Sequence, residues 1–490
     1  MLIKGFKEYK VYKDMLWYLI GTIIPIIITF IRTPIFTRYF TPEEYGSIGL
    51  INITFGYILI LVFAWISNCL WRFYYKYKNK DKLNELYSNI LFMYIIASVF
   101  TVVICSIWAG FFSDSNNINL IILSLIQTVL TQCIALYMII VRLQGKAALY
   151  NLSNVSLNIG SFIILILLTF RMGHRIEATI ESNIIVNIIL FALIIFKHRK
   201  ITNISYKFIQ FGSVKKFFKY GLTISLGDLS LLLLTSSDRY IIKIFDSIEA
   251  VGIYNQIYNL AQMSIATLIA VFFNAVNPIL FRELENNLDN YDKTMNMYIT
   301  IFILMIVPIT MYFSIFSKEI ANILLGESFR VGYRMMPFIM ITSLIYGMAL
   351  FIENKLNFSN RMMITVKGFV LASILNISLN LIFIPLFNYE VAAITTLIAY
   401  IFLYLFYYFY DSNRYFNSVK NIKVLFKPMA VLCMQAILDF TIRYVCKIEI
   451  GIKATILEGA IFLTIYLYFL QKQKFTDSEI NFKVILKSKK

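Results

Sequence analysis

Little in this chain is suited to acid–base, metal or redox chemistry. Two histidines occur, His174 and His198, and they do not form an HExxH pair. A Walker A loop, a GxSxG elbow and a CxxC pair are missing too. The lack of a P-loop argues against built-in ATP hydrolysis. The five cysteines, Cys69, Cys105, Cys133, Cys433 and Cys446, fall in or at the ends of apolar segments, and none is paired by spacing. They read as small apolar packing residues rather than disulfides or metal ligands. No cofactor is expected. Charge is scarce as well: 15% of residues are charged, where a soluble domain has about 25%.

What the chain has in excess is apolar surface. Of its 490 residues 59% are hydrophobic, and the mean hydropathy is +0.73. These values exclude a disordered chain, a secreted disulfide scaffold and a cytosolic enzyme, and leave a polytopic membrane protein. Apolar segments lie near 15–37, 46–71, 88–112, 119–141, 150–170, 178–196, 219–243, 251–280, 295–315, 335–353, 364–386, 391–410, 428–446 and 453–470. At about 20 apolar residues per span, this is an all-α protein with about 14 transmembrane helices. The start, Met1 to Asp14, carries Lys4, Lys7, Lys10 and Lys13. It is too polar for a cleaved signal peptide.

The net charge is +18. In a soluble protein that would suggest nucleic acid; here the charge sits in short loops, and the positive-inside rule explains it without a nucleic-acid partner. Alternate loops divide the 45 Lys and Arg residues unevenly, 33 to 10, with Arg32 and Arg443 inside spans. The richer side includes both termini, which are therefore expected in the cytoplasm. The bias also supports an even number of spans, since one missed helix would invert every later loop.

The longest interior loop, 197–218, follows the sixth span. Sliding the chain by 206 residues matches Lys13 with Lys219, Gly21 with Gly227, Thr29 with Thr235, Glu43 with Glu249, Gly46 with Gly252 and Asn68 with Asn274. An offset of six helices makes the copies parallel repeats. The expected organisation is a six-helix lobe at 1–196, a cytoplasmic linker at 197–218, a second six-helix lobe at 219–410, and two extra helices with a tail at 411–490.

Ionisable groups within spans cost about 2.5–3.5 kcal/mol on insertion scales, so each needs an explanation. Asp228 lies near mid-bilayer in the seventh span, with apolar Ile224 and Leu232 one turn away. It is either a structurally bonded acid or, as preferred, a cavity or ion-coupling site, for which H+ and Na+ are the candidates. Arg32 and Asp238 occupy equivalent places in the two repeats. They read equally as an outer gate pair or as two interfacial groups, with Arg32 snorkelling; Arg239 is expected to reach lipid headgroups. Arg72, Arg142, Arg282, Glu353 and Lys355 end spans on the cytoplasmic side. The basic ones are ordinary anchors or, if the ends converge, a diphosphate-binding mouth, since guanidinium forks suit phosphate oxygens. Asp439 and Arg443 are spaced i,i+4 and read as a structural pair. Asn376, Asn380 and Asn274 are expected to bond between helices, and Pro25 to kink the first span.

Three stretches carry a resemblance. Thr33-Pro34-Ile35-Phe36-Thr37-Arg38-Tyr39-Phe40-Thr41-Pro42-Glu43-Glu44-Tyr45-Gly46 is one, and Ser237-Asp238-Arg239-Tyr240-Ile241-Ile242 followed by Val251-Gly252-Ile253-Tyr254 is another. The third is Asn376 to Pro385 with Ala392-Ala393-Ile394-Thr395-Thr396. Together they resemble the Wzx-like polysaccharide transporters, the flippases of the multidrug/oligosaccharidyl-lipid/polysaccharide exporter superfamily. The resemblance implies two lobes around a central cavity, alternating access, and an undecaprenyl-diphosphate-linked oligosaccharide as cargo. One departure lies after Pro385: the family usually has glycine near Asn388 and Val391. Asn tolerates a left-handed backbone but β-branched Val does not, which puts the turn in question.

The expected function is thus a flippase for surface polysaccharide biosynthesis, with lipid-linked oligosaccharide and membrane lipids as partners. The runner-up is a peptidoglycan-precursor flippase or drug/cation antiporter of the same superfamily. A membrane polymerase or glycosyltransferase is less favoured, because the outer loops are short and Glu43–Glu44 are their only adjacent carboxylates.

Overall fold

In a bilayer an unbroken helix satisfies its own backbone groups, so long apolar runs become long helices. The computed structural model describes residues 2–112, 115–198, 206–286, 288–359, 361–411 and 452–472, with isolated residues between 430 and 441. The chain divides into two compact units, Met1–Gly252 and Ile253–Lys490.

In the first unit α1 (Leu2–Phe36) is followed by α2 (Pro42–Ile58), a π-helical turn at Leu59–Ala64, and α3 (Trp65–Lys78). Next come α4 (Leu83–Phe112), α5 (Ser115–Leu143), α6 (Ala147–Phe170) and α7 (Ala178–His198). The seventh expected span is realised as α8 (Phe211–Ser236) and α9 (Asp238–Phe245). The eighth is α10 (Ile248–Asn286), which starts in the first unit and continues in the second. The second unit adds α11 (Leu288–Ile315), α12 (Ser317–Leu324), α13 (Met336–Phe358), α14 (Met362–Phe387), α15 (Val391–Tyr410) and a last helix, Ile452–Lys472. Eleven helices among the described residues are long and apolar enough to cross a membrane. Ala178–Ile194 and Leu457–Tyr466 are shorter apolar helices. Most of the expected thirteenth span, with Asp439 and Arg443, lies outside the described residues.

The start of α2 shows why the chain turns where it does. Thr41 closes a capping box: its hydroxyl accepts from the Glu44 N–H at 3.3 Å, and Glu44 accepts from the Thr41 N–H at 2.8 Å. Pro42 occupies the first turn, where its missing N–H costs nothing. Across the loop, Arg175 grips both oxygens of Glu44 at 2.9 and 2.8 Å. That carboxylate raises the Arg175 pKa.

Gly46 and Gly252 sit where this start of α2 meets the first turns of α10. A Cβ on Gly46 would lie 2.0 Å from the Ile248 carbonyl oxygen; one on Gly252 would lie 1.8 Å from the Pro42 carbonyl oxygen. All four positions obey the 206-residue offset, 42 with 248 and 46 with 252. The contacts on the two sides of this crossing are therefore reciprocal: each glycine faces the carbonyl oxygen of the residue four before the other glycine.

Prolines inside spans leave carbonyls without a backbone donor, and two such groups are rescued from another helix. Pro25 has no N–H for the Gly21 carbonyl, and Asn154 Nδ2 on α6 donates to it at 3.1 Å. Pro308 likewise strands Leu304, whose carbonyl accepts from the Tyr466 hydroxyl at 2.7 Å. Tyr466 belongs to the last helix, which also lays Gly459 against Tyr312 of α11.

The asparagine expectation holds on α14. Asn380 donates to Asn376 at 3.0 Å, Asn376 donates to Thr396 of α15 at 3.2 Å, and Thr395 donates to Asn380. It does not hold for Asn274, which is exposed and makes no such bond among the described residues. The turn after Pro385 resolves through Asn388, which adopts φ 113° and ψ −177°. Val391 simply opens α15, so it needs no positive φ. The Asn388 side chain accepts from the Glu390 N–H at 2.9 Å.

Candidate functional site

Arg72 lies on α3 with its side chain exposed, one turn before Lys76 and two before the helix end. Arg142 closes α5. Its guanidinium sits over three rings from three other helices: Trp71 of α3 at 5.2 Å, Tyr150 of α6 at 5.5 Å and Tyr18 of α1 at 5.6 Å. Arg142 has no ion pair among the described residues. Beside it is a cavity of about 270 Å³ lined by Trp71, Met138, Ile139, Tyr150, Asn154 and Leu157. The sequence gives no sign of this cage, because Tyr18 and Trp71 lie 124 and 71 residues before Arg142 and only folding brings the four helices together.

Asp228 is exposed on α8, in a stretch whose neighbours one turn away, Ile224 and Leu232, are apolar, with the Asn68 side chain of α3 within hydrogen-bonding reach. A polar pair on facing helices at the depth expected for mid-span is consistent with an aqueous lining. The π-helical turn at Leu59–Ala64 lies just before Asn68. Such turns interrupt the regular ladder and are frequent at functional sites.

Asp238 and Arg239 correct an expectation. Arg239 does not reach the lipid headgroups; it is 3% exposed and Asp238 is fully buried. Adjacent residues on a regular helix point apart, but the guanidinium at the end of the long Arg239 side chain turns back along the helix. It donates to Asp238 at 2.7 Å and to the Thr235 carbonyl. Arg32 is half-buried near Tyr45 and has no ion pair among the described residues. The gate pairing of Arg32 with Asp238 is thus absent from this structure, the acid being neutralised by its neighbour. Close by, the hydroxyls of Tyr240 and Thr54 bond to each other.

In the second unit Arg282 is exposed and pairs with Glu283 at 3.3 Å. Lys355 is largely buried, donates to Asp411 at 3.0 Å, and lies 5.8 Å from the Tyr291 ring. Burial and the Asp411 charge push the Tyr291 phenol above its usual range. Glu353, one half-turn before Lys355, has one carboxylate oxygen buried without a hydrogen-bond partner.

Stacked apolar helices with isolated, placed charges are the architecture of a multi-pass membrane protein whose fold is that of a transporter. The profile of the polysaccharide biosynthesis protein family matches residues 11–283, more than half of the chain, and the chain belongs to that family. Among solved structures it is similar to the lipid II flippase MurJ in an inward closed conformation, with a TM-score of 0.68 and 18% identity over 93% of this chain and 98% of that one. A multidrug resistance MATE family transporter of the MOP superfamily matches in its inward-facing form at TM-score 0.65, with 13% identity over 84% of this chain and 99% of that one. An outward-facing MATE structure matches at 0.61 and 13% identity, over 84% and 96%. At these identities the shared property is the fold. No curated protein matches the chain by sequence.

Proposed function

We propose that this protein is a flippase that moves an undecaprenyl-diphosphate-linked oligosaccharide across the bacterial cytoplasmic membrane for surface polysaccharide synthesis. The observation that carries this reading is family membership over residues 11–283 on a fold shared with a lipid flippase. Both termini are cytoplasmic, a reading supported by the 33 to 10 division of basic residues. The working units are the two repeats, 1–196 and 219–410, joined by the linker 197–218 and followed by 411–490. The reciprocal contact at Gly46 and Gly252 supports that division.

The exposed Arg72 and Arg142 of the first unit meet the lipid diphosphate on the cytoplasmic side, and in the second unit Arg282 is a separate candidate contact for it. Lys355 is held by Asp411 and contributes charge there only when that pair opens. Asp228 couples transport to a proton or Na+, since it is an accessible acid with no basic residue one turn away on its helix. Transport proceeds by alternating access.

A peptidoglycan-precursor flippase is the second reading, favoured by the likeness to the lipid II flippase. Purified protein in proteoliposomes separates the two. Labelled lipid-linked oligosaccharide should become accessible on the far leaflet, while lipid II should compete poorly. Transport of lipid II alone would favour the second reading, and synthesis of longer glycan by the purified protein would make it a polymerase.

A further inference from the structure

We infer that the cavity beside Arg142 is a binding site for the phosphate end of an amphiphile, and that Tyr18, Trp71 and Tyr150 position the Arg142 guanidinium for it. The inference rests on the flippase reading for its biological setting, but the site is defined by its own geometry.

A chain that needed only to neutralise Arg142 would set a carboxylate beside it. Instead the guanidinium is surrounded by ring faces at 5.2, 5.5 and 5.6 Å. None of the residues lining the neighbouring cavity is acidic. The two arrangements differ chemically. A carboxylate would occupy the N–H fork and cancel the charge. Aromatic rings attract the cation through their quadrupole and leave its charge intact. A guanidinium also has five N–H donors in one plane, a fork that matches two phosphate oxygens. Rings that hold the cation without accepting those hydrogens leave the fork for an oxyanion.

The cavity supplies the second half of the recognition. Its volume is about 270 Å³, and Met138, Ile139 and Leu157 give it an apolar wall. A single cation and a mostly apolar lining fit a phosphorylated lipid better than free phosphate or a sugar. Asn154 is fixed at the same wall by its bond to the Gly21 carbonyl. Pro25 creates the need for that bond, so α1 and α6 are clamped together there. The clamp sets the distance between Tyr18 and Tyr150, whose ring centroids are 6.2 Å apart.

Cation–π contacts are worth about 0.5–2 kcal/mol each. Removing one ring should therefore weaken phosphate binding by about 2- to 30-fold. Farnesyl diphosphate and farnesol serve as probes, titrated calorimetrically into the detergent-purified full-length protein. The intact protein should bind the diphosphate more tightly than the alcohol. Trp71→Leu and Arg142→Lys should each weaken the diphosphate and leave the alcohol unchanged, while Trp71→Phe should restore most of the loss. A purely structural cage would not separate the two probes, because both use the same apolar wall. Thermal midpoints confirm that each variant is folded.

Equal binding of diphosphate by Trp71→Leu and native protein would overturn the positioning role. Unchanged binding by Arg142→Gln would overturn the site. Binding of free inorganic diphosphate as tightly as farnesyl diphosphate would overturn the amphiphile as ligand. The flippase reading is checked apart from these, by oligosaccharide flipping in proteoliposomes. Loss of flipping with normal probe binding would sink that reading and leave the site standing.

Discussion

The bond from Tyr466 to the Leu304 carbonyl gives the clearest test of how the last helix is held. Pro308 cannot donate to Leu304, so within α11 that carbonyl has no i+4 partner. Tyr466 is 2% exposed and supplies the missing donor at 2.7 Å. Tyr466→Phe keeps the ring and removes only the hydroxyl. A buried carbonyl left unpaired costs about 1–3 kcal/mol. At about 2 kcal/mol, and about 2–4 °C per kcal/mol for a unit of this size, the unfolding midpoint should fall by roughly 4–8 °C. Pro308→Ala restores a backbone donor to the same carbonyl. On that background Tyr466→Phe should cost less than about 0.5 kcal/mol, because the acceptor is already satisfied. The coupling of the two substitutions is the diagnostic quantity, measured by thermal unfolding of all four proteins in one detergent. An identical drop on both backgrounds would show that the hydroxyl serves some purpose other than the stranded carbonyl, and the reasoning would fail.

Gly252→Ala and Gly46→Ala should each destabilise by at least the roughly 1–3 kcal/mol of an overpacked core, because the added methyl meets backbone rather than a movable side chain. The double variant should cost less than their sum, since either one alone parts the crossing; additive losses in thermal unfolding would argue against a shared contact. Asn388→Gly should raise stability by about 1 kcal/mol, as φ 113° with ψ −177° is a glycine region and the lost Asx bond offsets only part of the strain. A lower midpoint would refute that. Arg72→Ala should insert normally but lower transport, with Arg72→Lys restoring it in part; normal flipping at normal expression would remove Arg72 from the site. Asp228→Asn should fold yet lose gradient-dependent flipping, and Asp228→Glu should keep some. Wild-type gradient dependence in the Asn variant would leave Asp228 a structural group. Cysteines at Lys80, Lys207 and Lys490 should resist an impermeant thiol reagent in intact cells, and ready labelling at all three would overturn the orientation.

How far the fold could be read in advance depended on the range of the interaction. Hydropathy is local, and twelve of the expected spans fall on described helices up to Tyr410, with α1 and α10 running beyond their apolar cores. The capping signal Thr41-Pro42-Glu43-Glu44 is also local, and it closes as its spacing implies. Gly46 and Gly252 stand out through the 206-residue offset and the two stretches that carry the resemblance. Their reason is tertiary: two carbonyls approach where no side chain fits.

The charged residues were harder, because their partners are set by packing. Asp238 was legible as a charge needing an explanation, yet its partner is the next residue, reached because the long Arg239 side chain turns back along the helix. Lys355 reads from the sequence as an interfacial anchor or part of a diphosphate mouth; the acid that holds it, Asp411, lies just past the end of α15. Arg142 was the converse case. Nothing near it in sequence predicts three rings around one guanidinium, and no periodicity links Tyr18, Trp71 and Tyr150. What separates these three basic residues is therefore not their own chemistry but what each packing environment leaves open. Arg239 is consumed by Asp238, Lys355 is neutralised by Asp411, and Arg142 alone of the three is held by groups that accept none of its hydrogen bonds. A site for a phosphorylated lipid needs the last of these.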